Sequence, residues 1–248
     1  MKVYCINLER SQDRRRKMQA EFARIGLECE FLSAIDGRSL APTEIKKAYS
    51  DWRTILRSGR SLSKGEIGCA MSHVEFFKRV IQGTDKAGFV FEDDVAFNSG
   101  VQSALAEVAS FLEKSELPTL VQLPGIPRDL PKAQDCSQFF FPVMSAMGTY
   151  AYGINKPAAE LLLRAFSPIK MPIDRYSYLI RHFGLRFYVY HSLVLDVDMC
   201  GNSTVGEERF VVFKGFKLFA YKCFRCLGVG IDAILSFKEW CNNYTSSE

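Results

Sequence analysis

The sequence predicts an α/β fold, because short apolar segments typical of strands alternate with segments whose apolar residues recur at helical spacing. The first two predicted strands, residues 2–8 and 30–35, are separated by a segment in which Met18, Phe22 and Ile25 follow the helical period. This order is a β-α-β unit, and its crossover requires the two strands to be parallel. A chain of 248 residues with 48% hydrophobic composition can bury a large core, as one domain or one domain plus an appendage.

The later elements follow from the same signals. Ser63 and Glu66 have the spacing of a capping box, which predicts a helix that closes near Gly83. Residues 43–64, just before it, are charged and weakly patterned, so we expect an excursion over the surface. We also expect a strand that begins at Phe89, further strands at 119–123, 147–154 and 186–195, and helices at 99–114 and after Pro157.

Charge and cysteine usage limit the class of protein. The formal net charge is only +4, which argues against binding nucleic acid across the whole surface. Asn7 and Glu9 interrupt the apolar N-terminal stretch well short of a signal-peptide core, so we expect a cytoplasmic protein. The eight cysteines are scattered through apolar segments, which favours reduced thiols. Cys223 and Cys226 have zinc-ligand spacing, but no second close pair completes four ligands.

The C-terminal forty residues are basic and aromatic. Phenylalanines and Trp240 alternate with lysines and Arg225 between residues 210 and 241. Two interpretations stay open: a helix in the interface of an anionic membrane, or a helix packed on the core. The charged residues of the tail leave no run of the ~18 apolar residues that a membrane span needs.

The most informative segment is an apolar strand, Phe89-Val90-Phe91, that ends in three consecutive carboxylates, Glu92-Asp93-Asp94. Like charges disfavour joint ionisation, so the cluster needs a cation or a set of hydrogen-bond donors. Ligands of open α/β sheets gather beyond the carboxyl ends of the strands, and hard oxygen ligands suit Mg²⁺ or Mn²⁺ there. The alternative is an acidic turn that caps the next helix.

Three further side chains have both a structural and a functional interpretation. Glu66 and His73 lie two turns apart on one side of the same predicted helix; Glu66 caps that helix, and His73 fits a hydrogen-bonded core histidine equally well. Arg14, near the start of the first helix, fits either a solvated face or a phosphate contact.

Beyond these local signals, the chain resembles the bacterial lipooligosaccharide glycosyltransferases of glycosyltransferase family 25, which also includes collagen galactosyltransferases. Six pieces carry the resemblance in the family's order, and together they make it specific. They are Ile6-Asn7-Leu8 with Arg10, Ser11, Arg14 and Arg15; Ala34 with Asp36-Gly37; the run Gly65 to His73; Phe91-Glu92-Asp93-Asp94; Gly148 to Tyr152; and Pro172-Ile173-Asp174.

The resemblance runs from about residue 2 to 206. It implies a GT-A-type domain over residues 1–206, an α/β/α sandwich around a mixed, mostly parallel sheet, with residues 207–248 as a separate basic tail. It also implies a UDP-sugar donor, Mn²⁺ or Mg²⁺ as cofactor, and inversion at the anomeric carbon. The member it looks most like is a β-galactosyltransferase that extends the lipooligosaccharide core at the cytoplasmic face of the inner membrane, so we expect a saccharide acceptor and peripheral membrane contact.

The same resemblance assigns residues to roles. It implies that Asp94, with Glu92, holds the metal. It implies that Asp174 takes the proton from the acceptor hydroxyl, with Glu66 and His73 as rivals for that role. The donor-binding residues that it implies are Asn7, Leu8, Arg10, Arg14, Glu92, Asp93, Gly148 and Thr149.

Two other functions compete with transfer. A metal-dependent phosphohydrolase also uses carboxylates at a strand end, and Asp196 and Asp198 keep that alternative open. A non-catalytic sugar-nucleotide-binding or assembly protein would bind nucleotide without turnover. The sequence departs from the family pattern at residues 195–199, where Asp196 or Asp198 could supply metal or donor contacts. His191 is a further candidate metal ligand, and a buried strand histidine is the alternative interpretation.

Overall fold

A seven-stranded mixed sheet forms the centre of the molecule in the computed structural model, which describes residues 1–123, 140–144, 148–190, 192 and 194–197. The strands are β1 (Lys2–Asn7), β2 (Glu30–Ser33), β3 (Ala87–Glu92), β4 (Val95–Phe97), β5 (Thr119–Gln122), β6 (Phe140–Pro142), β7 (Ala151–Asn155), β8 (Arg186–Tyr190) and β9 (Leu195–Val197). The order across the sheet is β2-β1-β3-β7-β5-β8-β6, and β4 pairs with β9 in a small second sheet.

Five of the seven strands run in one direction. β1 is parallel to both β2 and β3, which confirms the predicted β-α-β unit, and β5 is parallel to β8. β7 lies antiparallel between β3 and β5, and β6 is antiparallel to β8 at the edge. The sheet is therefore mixed and mostly parallel, as the sequence predicts.

Helices cover both faces of this sheet. They are α1 (Gln12–Arg24), α2 (Pro42–Ala48), α3 (Asp51–Ser58), α4 (Lys64–Gln82), α5 (Val101–Lys114), α6 (Lys156–Ala165) and α7 (Tyr176–Phe183). Apolar side chains of α4, α6 and α7 form a core on one face, and those of α1 and α5 form a core on the other.

The strands supply both cores because successive side chains of a strand point to opposite faces. In β1, Tyr4 and Ile6 belong to the core under α4, whereas Val3 and Cys5 belong to the core under α1. β3 and β5 alternate in the same way and are buried on both faces. This arrangement is a three-layer α/β/α sandwich, so the predicted fold class is confirmed.

Strand direction brings the candidate site residues to one edge of the sheet. β1, β2, β3, β5 and β8 all end at that edge. β7 runs the other way and therefore starts there, with Ala151 opposite Phe91. The segment before β7, which contains Gly148 and Thr149, thus meets the end of β3.

Several predicted boundaries are wrong. Residues 43–64 contain two short helices, α2 and α3, whose length is too small for a clear periodic signal. The strand predicted at 147–154 begins only at Ala151, because Gly148 has a left-handed φ of +81° that a strand does not accept. The apolar run 186–195 is divided between β8 and β9, which belong to different sheets. Helix α7 and strands β4 and β6 were not predicted from the sequence.

The capping box of α4 is confirmed. Ser63 Oγ accepts a hydrogen bond from the Glu66 backbone nitrogen, and Glu66 Oε2 accepts one from the Ser63 backbone nitrogen. The first turns of α4 lie directly against the loop after β2, where Gly37 faces Gly68. A Cβ atom on Gly68 would lie 2.4 Å from the Ile35 carbonyl oxygen, so this contact requires glycine.

The predicted tail, 207–248, the boundary at residue 206, and His191 and Asp198 all lie outside the described residues. Among the helices of the described ranges, none combines the length and the apolar character needed to cross a bilayer. Cys5, Cys29 and Cys69, the cysteines in those ranges, are thiols.

We predict that Gly68→Ala destabilises the fold by at least about 2 kcal/mol, because the new methyl group overlaps backbone atoms that have no room to move. Urea unfolding measures this change. Lys78→Ala, on an exposed position of the same helix, serves as the control and should change stability by less than about 0.5 kcal/mol. Equal stability of the two variants would contradict the close helix–loop contact.

Candidate functional site

A cleft opens at the carboxyl edge of the sheet, between the ends of β1, β2 and β3 and the start of α4. The cleft has a volume of about 610 Å³, part of which is open to solvent. Four of the predicted donor-binding residues line it, namely Leu8, Arg10, Glu92 and Asp93, and so does His73. Of the remaining predicted donor-binding residues, Asn7 and Arg14 bond to Asp93 and Thr149 bonds to Glu92. Gly148 bonds instead to Asp174.

An amide group and a guanidinium group from the N-terminal segment hold Asp93. Asn7 Nδ2 donates to Asp93 Oδ2 over 2.7 Å, and Arg14 Nη1 lies 3.0 Å from Asp93 Oδ1. Asn7 is fully buried at the end of β1, and Arg14 lies in the first turns of α1. Both oxygens of Asp93 therefore have a partner, and its negative charge is balanced by Arg14.

Glu92 turns to the opposite side of the loop. Its Oε1 accepts a hydrogen bond from the Thr149 hydroxyl and lies 3.4 Å from His73 Nε2. The other ring nitrogen of His73, Nδ1, lies 2.7 Å from the Tyr152 hydroxyl. His73 is thus a hydrogen-bonded buried residue, as one interpretation of the sequence expects, and it also borders the cleft.

Asp94 is the third carboxylate of the acidic run, and it takes no part in the contacts of Asp93 and Glu92 described above. Its Oδ1 is buried, and in the part of the chain that the structure describes it has no hydrogen-bond partner. Burial, together with the charges of Glu92 and Asp93, raises the pKa of Asp94 to about 6, and Arg14 offsets part of that effect. Asn7 Oδ1 is a second buried oxygen of the site with no partner among the described residues.

These features fit a hard divalent cation. A buried, unpaired carboxylate oxygen beside two other acidic side chains is an unfavourable arrangement that a bound cation relieves. Mg²⁺ and Mn²⁺ prefer carboxylate oxygen ligands, and Asp94 is the side chain of the three that has such an oxygen available. Asp94 would hold the ion, whereas Glu92, the other predicted ligand, is oriented towards Thr149 and His73.

Asp174 lies beside the segment that precedes β7. Asp174 Oδ2 accepts a hydrogen bond from the Gly148 backbone nitrogen over 3.1 Å. The Gly148 carbonyl oxygen in turn accepts bonds from Gln122 Nε2 and the Tyr176 hydroxyl. Because Thr149, the next residue, bonds to Glu92, this chain of contacts connects Asp174 to the acidic loop.

Glu66 is engaged in other contacts. Arg60 forms a two-pronged ion pair with it, with distances of 2.8 Å to Oε2 and 2.6 Å to Oε1, and Oε2 also caps the helix. Glu66 does not line the cleft, and neither do Asp94 and Asp174. These contacts favour the structural interpretation of Glu66.

Sequence reasoning gave no role to several residues of the site, although Asp36, Gly37, Cys69 and Ser72 belong to the pieces that carry the family resemblance. Arg10 forms an ion pair with Asp36, and Asp36, Gly37 and Arg38 line the cleft after β2. Cys69 and Ser72 line it from α4. The signal for Asp36, Gly37 and Arg38 was their place after the end of a strand. The signal for Cys69 and Ser72 was their place on the helix of His73, one turn before it and next to it. Asp196 pairs with Ala96 across β4 and β9 and is exposed.

Comparison with known proteins identifies a family. The model of glycosyltransferase family 25 (LPS biosynthesis protein) matches residues 1–177. A "Probable inactive glycosyltransferase 25 family member 3" of Bos taurus is 29% identical over 183 residues, covering 70% of this chain and 30% of the relative. "Procollagen galactosyltransferase 2" of Mus musculus is 31% identical over 118 residues, 46% of this chain and 19% of the relative.

The chain therefore spans less than a third of the length of these curated relatives. Among solved structures, a crystal structure of a glycosyltransferase involved in the glycosylation of the major capsid of PBCV-1 aligns with a TM-score of 0.40 and 9% identity. The alignment covers 82% of this chain and 93% of that one. This likeness is too weak to argue from.

We predict that, in the presence of a chelator, Asp94→Asn is more stable than the unsubstituted protein at pH 7.5, by at most about 3 kcal/mol. The folded-state pKa is raised to about 6 from 3.8, so ionised Asp94 opposes folding above pH 6. That penalty fades as the pH falls towards 4, and the two proteins should then converge. Urea unfolding at pH 7.5 and 4.5 tests this, with the exposed Asp13→Asn as control. A difference that does not depend on pH would contradict the raised pKa.

Proposed function

The chain belongs to glycosyltransferase family 25, and on that premise we propose that it is an inverting, metal-dependent glycosyltransferase. We propose that it moves a hexose, galactose, from a UDP-sugar to a saccharide acceptor in lipooligosaccharide or lipopolysaccharide biosynthesis. The family description, LPS biosynthesis protein, supports the choice of acceptor, and the name of the murine relative supports galactose. Peripheral contact with the inner membrane through residues 207–248 stays a prediction.

The observation that supports this proposal is the difference in contacts among three adjacent carboxylates. Asp93 is paired with the charge of Arg14 and accepts a hydrogen bond from Asn7, and Glu92 is held by Thr149. Asp94 keeps a buried oxygen that has no partner among the described residues. A bound Mn²⁺ or Mg²⁺ would act there as a Lewis acid that stabilises the negative charge of the departing diphosphate. An acidic turn that only caps a helix would not bury an unpaired oxygen in this way.

The residues around the cleft match the parts of a nucleotide-sugar. The apolar wall formed by Ile6, Leu8, Ala34 and Ile35 offers a surface for the base, and Asp36 offers an acceptor for its polar groups or the ribose. Arg10 borders the same space, and a guanidinium group is well suited to diphosphate oxygens. Thr149 and Glu92 would then orient the sugar.

Inversion needs one in-line displacement. The acceptor oxygen forms a bond to the anomeric carbon while the bond from that carbon to the phosphate oxygen breaks, and UDP leaves with the electron pair. The proton of the acceptor hydroxyl passes to a base. We assign this role to Asp174, because one of its oxygens is fixed by the Gly148 backbone while both oxygens of Glu66 are paired with Arg60.

We predict that calorimetry detects binding of UDP-galactose in the presence of Mn²⁺ and at least tenfold weaker binding with a chelator. UDP-glucose, UDP-N-acetylglucosamine, GDP-mannose and a CMP-sugar complete the panel and test the donor. Asp94→Asn should abolish the difference between Mn²⁺ and chelator, whereas Asp13→Asn should leave it unchanged. A folded protein that binds none of these donors would overturn the proposal, and binding without turnover on any acceptor would favour the non-catalytic alternative.

We predict that Asp174→Asn lowers kcat about 100-fold or more and leaves the dissociation constant of the donor within about twofold, because only the proton acceptor is lost. Glu66→Gln should instead lower thermal stability and have a smaller effect on kcat, since it weakens the cap of α4. His73→Gln completes the comparison. Near-normal turnover by Asp174→Asn would remove Asp174 from the role of base.

A further inference from the structure

We propose that Cys69, His73 and Glu92 form a second cation site in the wall of the cleft, suited to a borderline-soft divalent ion such as Zn²⁺. Each residue offers one ligand atom, and these atoms all lie within 4.8 Å of one another. All three side chains line the cleft, so an ion can reach them from solvent. The inference rests on these side chains and does not depend on the proposed transferase activity.

The backbone holds the three groups on rigid elements. Cys69 and His73 are four residues apart, one turn of α4, and therefore project from the same face of the helix. Glu92 is the last residue of β3, a strand buried on both faces. In a tetrahedral zinc site, bond lengths of about 2.0–2.3 Å place ligand atoms about 3.3–3.8 Å apart. His73 Nε2 and Glu92 Oε1 are already 3.4 Å apart, so only small side-chain movements are needed.

Tyr152 orients the imidazole for this role. His73 Nδ1 lies 2.7 Å from the hydroxyl of the fully buried Tyr152, and the two rings stack with centroids 5.6 Å apart. When Nδ1 carries the proton and donates it to the tyrosine oxygen, the lone pair of Nε2 faces Glu92 and the cleft. An outer hydrogen bond of this kind is the usual partner of a metal-ligating histidine.

The ligand chemistry separates this site from the one at Asp94. A thiolate and an imidazole favour Zn²⁺ over Mg²⁺, whereas a site made of carboxylate oxygens favours Mg²⁺ or Mn²⁺. Three protein ligands leave one tetrahedral position, and the cleft supplies water or a ligand oxygen for it. The two sites are adjacent, because Glu92 and Asp94 belong to the same acidic run.

Cobalt binding tests the proposal in the full-length protein. All variants carry Cys223→Ser and Cys226→Ser, because that pair has zinc-ligand spacing of its own. We expect reduced protein in excess Mg²⁺ to bind Co²⁺ with a thiolate-to-cobalt absorption band that Zn²⁺ removes. Cys69→Ser should lose the band and bind Co²⁺ at least tenfold more weakly. Cys29→Ser, the matched change at another partly buried thiol, should keep both. Equal bands in the two variants would overturn the site.

Two further measurements keep the test decisive. Tyr152→Phe removes only the hydroxyl that orients His73, and it should keep the band while weakening Co²⁺ binding about tenfold; unchanged affinity would refute the assigned orientation. If Cys69→Ser does not fold, alkylation of Cys69 is followed by mass spectrometry in the protein with Cys69 intact. Protection by Zn²⁺ supports the site, and alkylation at an unchanged rate overturns it.

Discussion

The need to hold three adjacent carboxylates together at one edge of the sheet governs the architecture of the site. The loop after β3 brings their charges into one small volume, and electrostatic repulsion would open it if no other group intervened. The fold meets this need for two of the three by directing their side chains to different neighbours. Asp93 contacts β1 and α1, and Glu92 contacts the segment before β7 and helix α4. The third, Asp94, keeps a raised pKa of about 6 because its burial and its neighbours are not fully offset.

The placement of β7 makes this division possible. An antiparallel strand between β3 and β5 begins at the edge where its parallel neighbours end. The segment before β7 therefore places Thr149 next to Glu92 and Gly148 next to Asp174, so two consecutive residues make both contacts. In a fully parallel sheet this edge would receive only strand ends, and the link between the acidic loop and Asp174 would need a longer connection.

Local patterns explain how much of this could be foreseen. Periodicity and the capping box predicted β1, α1, β2, α4 and α5, because each is long or flanked by a clear signal. The acidic run was recognised as the centre of the site because three consecutive carboxylates after an apolar strand are also a clear local signal. The short elements α2, α3, α7, β4 and β6 were missed, since seven or eight residues of helix or three of strand carry too little pattern.

The pairings within the site could not be predicted, because they join residues that are distant in sequence. Asn7 and Asp93 are separated by 86 positions, and Thr149 and Glu92 by 57. Strand order alone brings them together. The same reason hid the contact of His73 with Tyr152, 79 positions away. The sequence indicated which side chains belong to the site, but the strand order determines which of them contact one another.

The contact between Gly37 and Gly68 has a consequence for how the cleft can change shape. Backbone atoms of the two segments touch, and the Ile35 nitrogen also donates to Ser72 Oγ over 2.8 Å. The wall after β2 and the helix that carries Cys69 and His73 are thereby fastened into one rigid body. Widening the cleft on this side would require the helix to leave the sheet. Any adjustment to a bulkier ligand must come from the opposite rim, because a side chain at either glycine would overlap backbone atoms of the facing segment.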